Sequence, residues 1–484
     1  MRVARQEPVA NDSAVQATPK TVEMSVNPQD QFVMPASTTE VAGFFDDVST
    51  NKVQLRGELK PNDQGGFIYP ESDARFTTST AFASVANAVT FTEQVWGRPV
   101  KWATGKPKLN VTPDAGEDLN AYYDRGGKGL FFFHKEDPVT HQMIFSGRSG
   151  EVTGHEAFHA ILDAERPAYL GAWAPDVGAF HESMGDIGAL SLALQNPRVL
   201  DKVLQESDGD LRKQNCVAAL GEELGMAINH VSGKDATGGP WTRNAINSFT
   251  WSDPAKLPAS APPGQLSREV HSLSRLWTGA TYDILVGITE ELRGQGLDAR
   301  TALQQGGLEI LKMQGRLLSP GMAPDGSFKF RDMAKALLQS ENELNGGKHS
   351  ALISRVMQER KMPRETHLLI KGDFTVPERY LSVLQPGLSL EVRVSAYPDT
   401  AFAGRVASVD TRIDTATRAV KVRAELPNPD LKLRPGMLMS VVLKVSEREV
   451  IAVPESALIA QGSKRFVFLI DAEMKAQRVE VTTG

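Results

Sequence analysis

Apolar and polar positions recur with a period that changes along the chain, and the changes divide it into regions. From Thr78 to Trp96, Phe82, Val85, Ala88, Val89, Phe91 and Val95 fall at helical spacing, and Gly97-Arg98-Pro99 ends the run, which predicts a helix. Short apolar stretches at 109–111, 119–123 and 129–133 are separated by Pro, Asp and Gly, as in a meandering sheet. After Gly150 the pattern is helical to about Lys361, interrupted by a loop from Ser232 to Gln265 rich in Gly, Pro, Ser and Asp. Near Pro363 the period becomes two, and from Lys371 onward strands are predicted, among them 389–396, 403–409, 419–426, 439–445, 465–470 and 477–482, with turns at Pro427-Asn428-Pro429-Asp430 and Pro435-Gly436. Residues 1–40 follow neither period and are expected to form a flexible arm. The expected organisation is an arm over 1–40, a mixed sheet followed by helices over 41–365, and an all-β domain over 366–484, an α+β chain overall.

Length agrees with this division, because 484 residues exceed one ordinary core. With 41% hydrophobic and 23% charged residues the chain can bury a core and keep a wet surface. The 53 basic and 59 acidic side chains are interspersed without a long basic block, which weighs against a nucleic-acid partner. One cysteine, Cys216, excludes an intrachain disulfide and a thiolate metal cluster, and is expected in the core. No apolar run approaches the length of a membrane span, the best being short pieces such as Ile187 to Leu194. Residues 1–20 are polar and lack the apolar segment of a secretory signal.

The chemistry concentrates after Gly150. Gly154-His155-Glu156-Ala157-Phe158-His159 is an H-E-x-x-H motif in a predicted helix, where a four-residue step brings both imidazoles to one face and within reach of a single zinc ion. Glu156 points elsewhere and suits a base acting on a metal-bound water. Downstream, Phe180-His181-Glu182-Ser183-Met184-Gly185-Asp186 offers Glu182 as third ligand and, one turn on, Asp186 as hydrogen-bond acceptor for a ligating imidazole. His181 is a rival ligand that a helix would turn another way. Three protein ligands leave a fourth position for water, the pattern of a catalytic zinc. A metzincin is excluded, since Leu162 and Glu165 stand where its glycine and third histidine would be. Arg125-Gly126-Gly127-Lys128-Gly129 lacks P-loop spacing and reads as a turn.

In their order these residues resemble the thermolysin-type gluzincin peptidases over most of residues 80–360. The resemblance implies a zincin fold, a zinc endopeptidase acting on a peptide or protein substrate, and further site residues. Leu119-Asn120-Ala121-Tyr122-Tyr123 resembles the edge strand whose Asn side chain and Ala backbone, here Asn120 and Ala121, hold an extended substrate. Arg243 resembles the arginine that contacts a substrate carbonyl and braces Asp186. His271, in Glu269-Val270-His271-Ser272, resembles the histidine that stabilises the oxyanion, with Tyr169 a looser candidate for a second donor. The interval from His159 to Glu182 is a few residues longer than in that family, and no acid-rich, Gly-rich run argues for its calcium sites, so zinc is the expected cofactor and calcium is left open. The aminopeptidase Gly-x-Met-Glu-Asn segment is missing, which favours an endopeptidase.

The C-terminal part has a different likeness. Asp373-Phe374-Thr375-Val376-Pro377, Gln385-Pro386-Gly387, Phe402-Ala403-Gly404-Arg405-Val406, Asp414-Thr415-Ala416-Thr417-Arg418-Ala419-Val420, Leu433-Arg434-Pro435-Gly436-Met437 and Val453-Pro454-Glu455-Ser456-Ala457 resemble the β-barrel and membrane-proximal part of periplasmic adaptors, the membrane fusion proteins of resistance-nodulation-division (RND) efflux pumps. This implies a non-catalytic docking module for an inner-membrane RND transporter. The family's lipoyl domain and helical hairpin have no counterpart in the sequence. Three expectations follow: a zinc endopeptidase with an appended barrel, an adaptor fragment whose helical part is a non-catalytic scaffold, or an accidental fusion of two unrelated halves. Both resemblances imply a place outside the cytoplasm, against the polar start of the chain.

Overall fold

The structure, a computed structural model, describes residues 18–324, 326–362, 369–428, 432–433, 436–444 and 453–482. The chain divides into two compact units, Met1–Leu368 with Asn428–Lys432, and Leu369–Pro427 with Leu433–Gly484. Among the described residues no helix is long and apolar enough to cross a membrane.

The first unit contains strands β1 (Lys20–Val26), β2 (Ser37–Phe44), β3 (Val53–Leu55), β4 (Leu109–Thr112), β5 (Ala121–Asp124), β6 (Gly129–Phe132), β7 (His134–Glu136), β8 (Met143–Phe145), β9 (Ala219–Leu220) and β10 (Arg243–Asn244). Its helices are α1 (Arg75–Trp96), α2 (Gly150–Glu165), α3 (Pro175–Ala193), α4 (Pro197–Ser207), α5 (Glu222–Ser232), α6 (Val270–Gly294), α7 (Ala299–Leu317), α8 (Phe330–Asn345) and α9 (Ser350–Glu359). A four-stranded sheet has the order β3-β4-β6-β5, leaving β5 at an edge. The arm expected over residues 1–40 is corrected for its second half: β1 and β2 pair antiparallel, and Met24, Val41 and Phe44 are buried in the core. These strands are half-buried and mix polar with apolar positions, which hides their period. Residues 1–17 lie outside the described part.

Helices α2 and α3 set the position of the site, and small residues let them approach. A Cβ on Gly188 would meet the Phe158 ring at 2.1 Å, and one on Gly185 would meet the His155 imidazole at 2.6 Å. Both α3 glycines are therefore required by the rings packed on them, despite the helix propensity they cost. Around this pair one core gathers Phe158, Phe180 and Trp277, with the Phe180 and Trp277 rings edge to face at 5.6 Å. Cys216 is buried, as a small core residue would be.

The second unit contains β11 (Leu369–Pro377), β12 (Ser389–Val394), β13 (Tyr397–Asp414), β14 (Ala419–Pro427), β15 (Met439–Leu443), β16 (Ile459–Gln461), β17 (Lys464–Ile470) and β18 (Ala476–Val481). The first five form an antiparallel sheet of order β11-β14-β13-β12-β15, and the last three a separate sheet β16-β17-β18. Alternation places Val420, Val422, Ala424 and Leu426 of β14 and Leu390, Val392 and Val394 of β12 in one small core. Arg418 approaches Glu378 at 3.8 Å and is largely exposed, an ion pair worth little to stability. The predicted Pro429-Asp430 turn and Pro435 lie outside the described residues.

Candidate metal centre

Helix α2 starts where the Ser149 hydroxyl accepts the Val152 N–H at 3.1 Å, and it carries His155 and His159 with ring centroids 4.6 Å apart. Helix α3 opens on Pro175 and Asp176, and its second turn carries Glu182. One Glu182 oxygen lies 3.5 Å from His155 Nε2 and the other 3.6 Å from His159 Nε2. Neighbouring donors on a tetrahedral zinc, each roughly 2.0–2.2 Å from the ion, stand roughly 3.3–3.6 Å apart. The donor set therefore fits the zinc expected from the sequence.

Each imidazole is oriented from behind. His155 Nδ1 lies 2.9 Å from Asp186 Oδ1, and Arg243 donates to both Asp186 oxygens at 2.7 and 2.8 Å. His159 Nδ1 lies 2.7 Å from His181 Nδ1, with the two rings stacked. His181 is thus the outer partner of His159, and its lone Nε2 is buried without a hydrogen bond. Burial alone would lower the His155 pKa, but the bonds to Asp186 and Glu182 outweigh it and push it up to about 10. Burial would raise the Glu182 carboxyl, yet the two histidines hold it well below the usual carboxylate range. In the metal-free chain His155 is therefore the charged partner of two carboxylates, and an ion entering here displaces its proton.

The remaining predicted residues line the same cleft of about 600 Å³, bounded by the β5 edge and the starts of α5 and α6. A Glu156 carboxylate atom lies within 4.8 Å of the His155 and His159 ligand nitrogens, and Oε2 is buried without a partner. Burial pushes its carboxyl up to about 7. Asn120 and Ala121 line the rim of the cleft, where the Asn120 side-chain oxygen accepts the Ala121 N–H at 2.9 Å and the Asn120 carbonyl accepts from Ser146 Oγ at 2.8 Å. Tyr169 corrects the expectation of a second oxyanion donor: its hydroxyl donates to the Pro324 carbonyl. The Gly-rich 126–129 segment is the β5–β6 turn, and Arg125 before it pairs with Asp163 at 2.9 Å. His271, at the start of α6, brings Nε2 to 3.5 Å from a Glu182 oxygen. Glu269 holds its other nitrogen, a partner that the sequence signals only as an acid two residues ahead in a helix N-cap.

Behind the cleft lies a group of buried acids. Asp30 accepts from Ser149 and from the Glu223 N–H at 2.8 Å, and Glu151 accepts from the Gly221 N–H at 3.1 Å. Burial, with the Asp30 charge added and Arg148 only partly offsetting, pushes Glu223 up to about 8. An acid whose folded pKa lies above its unfolded one carries no penalty below about pH 4.5 and the full penalty above about pH 8. Glu223→Gln is therefore expected to stabilise the first unit on the order of 2 kcal/mol at high pH and to change it little near the lower limit. Scanning calorimetry at the two ends of that window measures the difference.

Residues 373–447 match the CusB-like β-barrel domain family, which coincides with the antiparallel sheet β11–β15. Among curated proteins, the membrane fusion protein SilB of Salmonella typhimurium is 32% identical over 100 residues, covering 21% of this chain and 23% of SilB. The cation efflux system protein CusB of Escherichia coli (strain K12) is 30% identical over 98 residues, 20% of this chain and 24% of CusB. The nodulation protein NolF of Rhizobium meliloti (strain 1021) is 22% identical over 316 residues, 60% of this chain and 83% of NolF. The chain thus spans about a quarter of SilB and of CusB. Among solved structures, ZneB from Cupriavidus metallidurans aligns at 18% identity over 42% of this chain and 68% of its own, with a TM-score of 0.16, too loose a superposition to bear on the fold.

These matches show that the C-terminal unit carries a CusB-like β-barrel domain, similar to that of the membrane fusion and efflux system proteins. They correct the expectation of an enzyme. The relatives are membrane fusion and efflux system proteins rather than hydrolases, which overturns the zinc endopeptidase with Glu156 as general base and His271 on the oxyanion. The physical reason is that an H-E-x-x-H helix with a downstream carboxylate specifies a place for a cation, and a place for a cation does not by itself specify turnover.

Proposed function

We propose that the chain is an adaptor of an RND-type efflux assembly, in which the C-terminal barrel docks onto an inner-membrane transporter and the first unit is a scaffold that holds a zinc ion. The observation that carries this reading is the match of residues 373–447 to the CusB-like barrel. The cation is supported by the spacing of His155, His159 and Glu182 and by the partners behind each ring. In this reading the protein works in the periplasm, where SilB-like and CusB-like relatives would share its partners, and the metal site serves retention or sensing of a cation.

Photocrosslinking tests the docking. A photoreactive residue in place of Tyr380 or Val442, both exposed in the barrel unit, is expected to give an adduct with a multi-span inner-membrane transporter when the full chain is expressed in cells. Adducts confined to soluble proteins would overturn the adaptor reading.

A further inference from the structure

A second cavity, of about 520 Å³, is walled by β1, β2, α1, the start of α2 and the end of α3. Its α2 wall is made by Gly150 and Gly154, one turn apart and without side chains. A Cβ on Gly150 would stand 2.5 Å from the Asn27 carbonyl oxygen and 2.6 Å from that of Pro28, so the chain leaving β1 is seated directly on the start of α2. Asn27 lines the cavity, is fully buried, and has no hydrogen-bond partner on either Oδ1 or Nδ2. Ser84 of α1, another lining residue, has a buried Oγ that is likewise unpartnered. Buried amides and hydroxyls normally find a partner, and each one left bare costs stability. Three other amides of the wall are engaged within the protein: Asn87 donates to Thr39 Oγ1 at 2.9 Å, Gln195 donates to the Ser191 carbonyl at 3.2 Å, and Asn196 caps α4. We infer that this cavity binds a small uncharged molecule bearing an amide group, which Asn27 pairs with through both polar atoms of its own amide.

An amide matches Asn27 on both counts, because its N–H can donate to Oδ1 while its carbonyl accepts from Nδ2. Pro28 biases Asn27 toward extended backbone and Gly150 holds the segment from the other side, so this pairing group is fixed before a ligand arrives. Charge selects against an anion. Among the described lining residues Glu40 is the sole ionisable side chain, and it is exposed. A carboxylate or phosphate drawn inside would therefore be buried without a counter-charge. Val26, Phe91, Leu192 and Ala193 supply apolar surface for the body of the molecule. Water is a poor occupant of that part, since each buried molecule needs roughly 2–4 polar partners. The cavity shares only Ala189 with the described lining of the metal cleft, so its ligand is independent of the cation and of the adaptor reading.

Calorimetric titration of the full chain with N-acetyl-leucinamide, an uncharged diamide, and with N-acetyl-leucine, its anionic counterpart, tests this. The diamide is expected to bind saturably in the millimolar range and at least roughly 10-fold more tightly than the carboxylate. Asn27→Leu removes the pairing amide and is expected to weaken the diamide by roughly 10-fold. Its unfolding temperature should not fall, because the bare polar atoms leave with the side chain. Equal diamide affinity in parent and variant, tighter binding of the carboxylate, or no saturable binding by the parent would overturn the site. A crystal structure of the full chain grown with the diamide and showing only water against Asn27 would do the same. If Asn27→Leu does not fold, Ser84→Ala is the second variant, expected to lose affinity several-fold, and an unchanged affinity there counts against the site.

Discussion

Asp186→Ala is expected to destabilise the first unit by about 3 kcal/mol and to weaken zinc binding by roughly 10–100-fold in the same protein. Asp186 is 1% exposed and accepts two bonds from Arg243 and one from His155, with the Thr278 hydroxyl further off at 3.4 Å. Removing it leaves a buried guanidinium without its counter-ion, a loss worth about 3–5 kcal/mol where the survivor is fully enclosed. Arg243 keeps a 14% exposed side chain and can recover some hydration, which places the expected loss at the low end. Burial alone would raise the Asp186 carboxyl, but Arg243 and His155 outweigh it and hold it at about 2. The sign of its pH dependence follows: the contribution is present above the unfolded value of 3.8 and is lost as pH falls through about 2. Asp186→Asn, which keeps an acceptor for His155 but no charge for Arg243, is expected to fall between. Urea unfolding gives the first effect and a competitive zinc titration the second; an alanine variant as stable as the parent would remove Arg243 from the account.

What the sequence discloses here depends on how local each constraint is. His155 and His159 are legible because a helix fixes the meaning of a four-residue step, and Glu182 with Asp186 repeats that logic on α3. The close approach of those helices is not legible. It depends on Gly185 and Gly188 facing His155 and Phe158, and a glycine in a helix carries no mark of what will lie against it. His181 illustrates the same limit. Beside Glu182 in the sequence it could only be weighed as a rival ligand, whereas in space it stacks on His159 and orients it. Tyr169 failed in the other direction, because a partner 155 residues away takes its hydroxyl. In the second unit the period-two alternation of β12 and β14 directly encodes a one-sided core, so that region is readable strand by strand. β1 and β2 escape because their inward positions are few and their outward ones polar, as edge pairs often are. Function was less local still. The H-E-x-x-H segment states which donors can meet, and the relatives of the barrel speak for the C-terminal unit.

Glu182→Ala is expected to reduce zinc affinity by more than the roughly 10–100-fold that loss of an outer partner causes, and to do so without unfolding the chain. Glu182 faces three imidazoles, with one oxygen toward His155 and His271 and the other toward His159. Its loss removes the anionic ligand and leaves neutral imidazoles around an ion that no longer has a compensating charge. Stability should fall by less than in the Asp186 variant. In the metal-free chain His155 is protonated, its pKa pushed up to about 10 despite burial, with Asp186 facing Nδ1 and Glu182 facing Nε2. Without Glu182 the His155 ring keeps its Nδ1 bond to Asp186 at 2.9 Å, so the charge is not abandoned and the fold loses less. Zinc entry into the parent must expel this proton, so the heat of binding should vary with the ionisation enthalpy of the buffer. The variant should show a weaker variation, because its His155 is held less firmly in the charged form. Isothermal titration in two buffers of different ionisation enthalpy reads both quantities at once. Equal zinc affinity in parent and variant would mean that the carboxylate is no ligand, and the cation would then have to be held by histidines alone.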